Sequence, residues 1–284
     1  MQTIEQTVSK KDLFYGALIF LVFISCYYPT FIWLHNKYRG LDSYYSHGYL
    51  IPIITVYLIY MKKEELKEVK LKNSLMGLYL VIFALSLHVI SVLGDIHFLS
   101  GFSIIFYIAG CVMYLFGYEL IKRIAYPLLF LIFMCPLPES FINIVALPAK
   151  SLATSLALYI IDFIGIPSIR EGFRIQLKTS TFVVGTPCNG MRSLIAFLAL
   201  GFLMTYIVKA KLWKKILLFT LIPPISIILN GVRIAILLII ANRYGQEAAS
   251  TESYLHDGSG FLVFIIGFVF MLFFYKLGDD EQRH

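Results

Sequence analysis

The sequence predicts an all-α polytopic membrane protein with about eight transmembrane helices, to which an amphipathic helix at the outer face and a small extracytoplasmic β-hairpin are added. Three observations carry that prediction: composition, the length of the apolar runs, and the placement of lysine and arginine. The chain is 59% hydrophobic and 14% charged, with mean hydropathy +0.79, where a soluble domain has roughly 45–50% apolar and 25% charged residues. A spanning helix takes about 20 mainly apolar residues, so 284 residues leave little room for a large soluble domain.

In chain order, the apolar runs predict spans near 13–34, 49–61, 74–93, 98–116, 124–135, 191–208, 213–241 and 261–277. The first follows Lys10 and Lys11, is longer than a signal-peptide core and has no small-residue cleavage site, so it is expected to stay as a membrane helix. The second and fifth are short, which predicts extension by flanking residues or cover from neighbouring helices. Pro223 and Pro224 predict a kink or break in the seventh.

Basic residues set the orientation. Lys62, Lys63, Lys67, Lys70 and Lys72 mark one cytoplasmic loop, Lys122 and Arg123 a second, and Lys209, Lys211, Lys214 and Lys215 a third. The loops at 94–97 and 136–140 carry neither residue type and belong outside. With eight spans both termini fall in the cytoplasm, in the inner or plasma membrane.

Residues 141–166 are apolar enough to span, yet counting them as a span breaks this alternation. Asn143, Lys150, Ser151, Thr154, Ser155 and Asp162 also interrupt them, and charge at bilayer depth is costly. The segment therefore reads as one or two amphipathic helices on the outer surface, bent at Pro148. In residues 168–187, Phe173, Ile175 and Leu177 alternate with polar residues, a turn follows at 178–181, and Phe182-Val183-Val184 comes next. A period of two predicts the hairpin.

The formal charge of +7 does not argue for nucleic acid, because the cations sit in short loops between spans rather than on one face. Cys26, Cys111 and Cys135 lie in apolar stretches without paired spacing, which indicates neither a disulfide framework nor a zinc site. The histidines show no metal-ligand spacing either, and no cofactor is expected. Gly185 to Ser193 has the outline of a phosphate loop, but Met191 stands where the lysine belongs and the helix that follows is a span.

Three residues carry the candidate chemistry. Cys188 precedes Asn189 and Gly190 at the outer start of the sixth span, where helix N–H groups favour a thiolate and can hold an oxyanion. The competing reading is a small buried loop residue. Arg233, in Asn230-Gly-Val-Arg233, lies deep in an apolar run and needs an interior or water-filled setting; the competing reading is a side chain that snorkels to the headgroups. His256, before the last span, suits a general acid and base beside a cysteine, or is simply interfacial polarity. Alternation of the spans puts all three on one side. Asn189, Arg192, Asn230 and Asp257 flank them as orienting or substrate-binding candidates, and His47, in Tyr45-Ser-His-Gly, enters the second span from that same side.

This arrangement resembles the exosortase/archaeosortase family of membrane transpeptidases: Pro187-Cys188-Asn-Gly-Met-Arg192, then Asn230-Gly-Val-Arg233-Ile234, then His256 before a last helix. The resemblance extends through Tyr45-Ser-His-Gly48, Pro136-Leu-Pro138 and Gly165-Ile-Pro167. It implies a cysteine transpeptidase acting on exported proteins that end in a short motif such as Pro-Glu-Pro, a transmembrane helix and a basic cluster. It implies cutting near the motif and transfer to a surface acceptor, with Cys188 as nucleophile, His256 as proton shuttle and Arg233 stabilising the oxyanion or orienting the thiolate. Asn189 departs from the Cys-Ser-Gly that the family more often carries, which leaves the subclass and its motif open. Membrane lipids are the other expected partner. Two rival readings stand beside it: a transporter that uses Arg233 for an anionic solute, and a non-catalytic export or assembly factor.

Overall fold

A computed structural model of the chain describes residues 10–40, 43–185, 190–208, 210–250 and 253–279, with side chains described except at 10–16, 257, 275 and 277–279. It is about 80% helical, and among the described residues six helices are long and apolar enough to cross a membrane: Ala17–Arg39, Leu75–Leu93, His97–Phe116, Glu139–Phe163, Leu212–Tyr244 and Tyr254–Phe274. These helices are apolar all round, with Leu93 83% and Phe163 87% exposed, as expected where lipid replaces water as the solvent. The chain divides into two units, Met1–Leu137 and Pro138–His284.

The first unit holds α1 (Lys10–Arg39), α2 (Leu50–Met61), α3 (Lys63–Lys67), α4 (Leu75–Leu93), α5 (His97–Phe116) and α6 (Tyr118–Phe130). Helices α4 and α5 form a close hairpin through glycine. A Cβ on Gly77 would run into the backbone of Tyr114, and one on Gly110 would lie 2.8 Å from Val81 N. Small residues let membrane helices approach in this way. At the other end of the hairpin a buried polar chain ties in α1. His88 Nε2 faces the Cys26 carbonyl at 3.1 Å and Nδ1 faces Ser100 Oγ at 2.7 Å, while Ser100 Oγ also meets Thr30 Oγ1 at 2.5 Å. A carbonyl only accepts, so the ring carries its proton on Nε2 and accepts from Ser100 on Nδ1.

The second unit holds α7 (Glu139–Phe163), a three-stranded antiparallel sheet, α8 (Met191–Ile207), α9 (Leu212–Tyr244) and α10 (Tyr254–Asp279). Its core is a seam between α7 and α9. Ala153, Ala157 and Ile161 of α7 and Ile234, Ala235 and Leu238 of α9 are at most 2% exposed, and a Cβ on Gly231 would lie 3.1 Å from Ala153 O. The sheet adds Ile175, Leu177, Phe182 and Val184 to the same cluster.

Several expectations are revised here. Where one or two helices bent at Pro148 are expected over 141–166, the chain forms a single helix, Glu139–Phe163, that continues through Pro148 and is long and apolar enough to cross a membrane. Several of the interrupting polar groups find partners close by, which lets the helix continue through them. Thr154 Oγ1 donates to Lys150 O at 2.7 Å and Ser155 Oγ to Ser151 O at 3.0 Å, while the Lys150 ammonium sits 4.1 Å over the Phe173 ring. Helix α9 likewise continues through Pro223 and Pro224 for 33 residues, as membrane helices can where neighbours pack against them.

The region 168–187 holds β1 (Ser168–Glu171), β2 (Arg174–Leu177) and β3 (Thr181–Val183), one strand more than a hairpin. The extra turn falls at Gly172, whose φ of +63° needs no side chain to be accommodated. Where the fifth span is expected, over 124–135, the chain forms α6, which starts at Tyr118, and then tightens into a 3₁₀ turn over Leu131–Met134. The last helix starts at Tyr254 instead of Phe261.

Candidate active site

Helix α9 supplies the floor of the site. Ser226, Asn230 and Arg233 are spaced by four and three residues and so lie along one stripe of it, with Ser226 3% and Asn230 4% exposed. Arg233 is eleven residues before the end of α9 at Tyr244, about 16 Å along the axis.

Helix α10 meets that stripe with its first turn. Ser253 caps it, its Oγ accepting the Leu255 N–H at 3.2 Å, which puts His256 inside the helix rather than in a loop before it. His256, Ser259 and Gly260 then share a face, and all three touch Arg233. The Arg233 Nη2 lies 3.5 Å from His256 Nδ1, 3.5 Å from its Nε2 and 3.3 Å from its carbonyl oxygen. Equal distances to both ring nitrogens put the guanidinium over the imidazole face, because a position in the ring plane between them would collide with the Cε1–H. Arg233 Nε donates to Ser259 Oγ at 3.4 Å, and Ser259 Oγ donates to the His256 carbonyl at 2.7 Å. Gly260 leaves the space the guanidinium fills, since a Cβ there would lie 3.0 Å from Nη2 and 3.1 Å from Cζ. His256 is 3% exposed.

Helix α8 contributes its N-terminus. Gly190 takes a left-handed φ of +75° as the residue preceding the helix, and a Cβ on it would lie 2.9 Å from Asn230 Cγ and Nδ2. The sequence Cys188-Asn189-Gly190 therefore ends directly against Asn230. Cys188 and Asn189 themselves lie outside the described residues. A cavity of about 10 Å³ opens between Gly190, Ser226 and Asn230, room for about one water molecule.

The remaining candidates distribute as follows. Arg192 is exposed on the first turn of α8. Asp257 falls in the first turn of α10, with its side chain outside the described set. His47 belongs to the first unit, where its ring lies 6.2 Å from that of Tyr45 and its buried Nε2 has no hydrogen-bond partner among the described residues. Ser259 and Gly260 complete the contact with Arg233, yet the sequence alone assigned them no role. The signal was present in their i+3 and i+4 spacing from His256, but it was hidden because Asp-Gly-Ser-Gly reads as a turn. Among the described residues, no group of three or more His, Cys, Asp or Glu is placed to hold a metal ion.

The family model of transmembrane exosortases matches residues 33–274. The chain belongs to that family. The match takes in both units and the whole of the cluster just described, and it makes this exosortase a multi-pass membrane protein with a role connected to protein sorting. Neither the curated proteins nor the solved structures gave a match.

Proposed function

We propose that this exosortase is a membrane cysteine transpeptidase. In this reading it cuts the C-terminal sorting signal of exported proteins at the extracytoplasmic face of the membrane and passes them to a surface acceptor. The observation that carries the reading is the Arg233–His256 contact, 3.5 Å from Nη2 to either ring nitrogen. It is made on a helix stripe whose next polar residue, Asn230, abuts Gly190, two residues after Cys188. Two residues of extended chain reach about 7 Å, and that short link supports assigning the thiol to this site.

The chemistry is acyl transfer in two steps. His256 takes the Cys188 thiol proton, and the thiolate attacks the scissile carbonyl carbon of the exported protein. The C–N bond breaks as His256 returns that proton to the departing amine, leaving a thioester on Cys188. The acceptor nucleophile then attacks the thioester, giving its own proton to His256, and the thiolate leaves. Arg233, held by Ser259 and the His256 carbonyl, offers a fixed positive charge to the thiolate and to the oxyanion of each tetrahedral intermediate. Asn230 positions the Cys188 segment through Gly190, while Asn189, Arg192 and Asp257 are assigned to orienting or binding the substrate. The orientation that suits this chemistry has both termini in the cytoplasm and the starts of α8 and α10 opening outward. Substrates are exported proteins ending in a short motif, a transmembrane helix and a basic cluster.

The test is a chromosomal Cys188→Ala exchange, with mass spectrometry of exported proteins as the readout. The exosortase reading expects their C-terminal helices to be retained in the variant and removed in the wild type. Tail removal that continues in the variant at the wild-type rate rules out Cys188 as the nucleophile.

A further inference from the structure

The sheet has two edges, and they are not alike. On the β1 edge the side chain of Arg170 folds back, its guanidinium donating to Gly172 O at 2.8 Å and to Ser155 Oγ at 2.8 Å, which ties that edge to α7. Charged residues on an edge are a usual defence against strand pairing, and β1 carries both Arg170 and Glu171. The β3 edge has no such device: Thr181, Phe182 and Val183 are uncharged.

The register fixes what β3 presents. Leu177 N donates to Ser180 O at 2.8 Å and Val184 N to Phe173 O at 2.9 Å, so Ser180, Phe182 and Val184 exchange bonds with β2. Alternation along an antiparallel pair then turns the N–H and C=O of Thr181 and Val183 away from β2. Neither residue has a backbone hydrogen-bond partner among the described residues beyond the β2–β3 ladder, and Val183 is 53% exposed. An unpaired N–H and C=O separated by strand spacing are complementary to one kind of ligand, another extended backbone.

Position supplies the second argument. Ser180, just before β3, donates through Oγ to Ala241 O near the end of α9, while Gly190 lies against Asn230 eleven residues back along the same helix. Ser180 and Gly190 thus both lie against α9, at positions on either side of Arg233 in that helix, and Cys188 follows Val183 by five residues.

We propose that β3 takes the extended segment of the exported protein as a fourth strand, through the outward N–H and C=O of Val183. This rests on the transpeptidase reading and adds to it how the substrate backbone is held: recognition is by main chain, with the sorting motif delivered along β3 to Cys188. Affinity then depends little on the Val183 side chain and strongly on its N–H.

The experiment compares a strain deleted for the gene with the same strain complemented by wild-type, Val183→Ala or Val183→Pro protein. It scores the fraction of exported proteins that keep their C-terminal helix, alongside the amount of each variant in the membrane. Proline at an outward edge position removes the N–H without breaking the ladder, so Val183→Pro is expected to lower processing by about tenfold or more, with Val183→Ala within about twofold of wild type. Should Val183→Pro fail to reach the membrane, incorporation of the α-hydroxy acid analogue of valine at 183 removes the same N–H as an ester and is expected to give the same loss. Wild-type processing by the variant lacking the N–H overturns the added strand and leaves the transpeptidase reading intact. Equal losses in Val183→Ala and Val183→Pro also overturn it, because the side chain is then the determinant. If deletion and wild type retain tails equally, the transpeptidase reading itself falls and the strand proposal with it.

Discussion

Arg233 and His256 are held together from three directions: the guanidinium lies over the imidazole, donates to the His256 carbonyl at 3.3 Å, and is braced by Ser259, which donates to that same carbonyl at 2.7 Å. A cation fixed this way needs no reorganisation when negative charge develops beside it, which is the condition under which such a group contributes most to catalysis.

Arginine at 233 is therefore not replaceable by lysine. A single ammonium cannot brace on Ser259 and the carbonyl together while leaving donors free. Arg233→Lys is expected to lower the processing rate by about 10²-fold or more at an unchanged membrane level, measured by the appearance of tail-free exported protein after a pulse label.

Gly260 offers a sharper probe, because it touches the guanidinium and nothing on the substrate side is changed. Gly260→Ala puts a methyl 3.0 Å from Nη2, so the arginine must shift, and processing should fall while abundance does not. Gly258→Ala is the control: a Cβ there meets nothing within 4 Å, and replacing a helix glycine by alanine contributes up to about 1 kcal/mol of helix stability. Activity of that control should stay at the wild-type value.

Gly190 couples the Cys188 segment to α9. Gly190→Ala places a Cβ 2.9 Å from Asn230 in a residue with φ +75°. Backbone strain alone costs about 1–2 kcal/mol, so the variant should melt lower in detergent and process poorly. Gly245, also at positive φ but with open space around it, should lose stability on mutation to alanine without a comparable loss of processing.

His88 serves as a contrast in the first unit. It carries a complete set of partners in Ser100 and the Cys26 carbonyl, and no step of the proposed chemistry uses it. His88→Ala removes one buried and one part-buried hydrogen bond and a packed ring, at a cost of about 1–3 kcal/mol. Thermal unfolding in detergent should detect that loss, and the rate per folded molecule should be unaltered.

The helical membrane class was legible because long apolar runs between lysine-rich loops have few alternative explanations. Two elements read differently in sequence and in space because polar residues in them are satisfied at short range. Thr154 and Ser155 bond back to their own helix, so α7 reads as interrupted in sequence and is continuous in space. The Asp-Gly-Ser-Gly stretch reads as a loop, yet Ser253 caps the helix that contains it, which hid the parts of Ser259 and Gly260 in the arginine contact. Cys188, Arg233 and His256 could be singled out because thiol, guanidinium and imidazole are costly beside lipid and rarely placed there without purpose. The free edge of β3 could not be singled out, because it depends on a register that no single residue announces.

The central claim is that Cys188 carries the exported protein as a thioester beside Arg233 and His256. The most direct measurement is mass spectrometry of exosortase purified from cells expressing its exported partners, digested with and without hydroxylamine. The account predicts a hydroxylamine-labile peptide adduct on Cys188 whose carboxyl end marks the cut in an exported protein, and loss of that adduct in Cys188→Ser. Exported proteins that lose their tails while Cys188 never carries such an adduct, even under rapid acid quench, would contradict it.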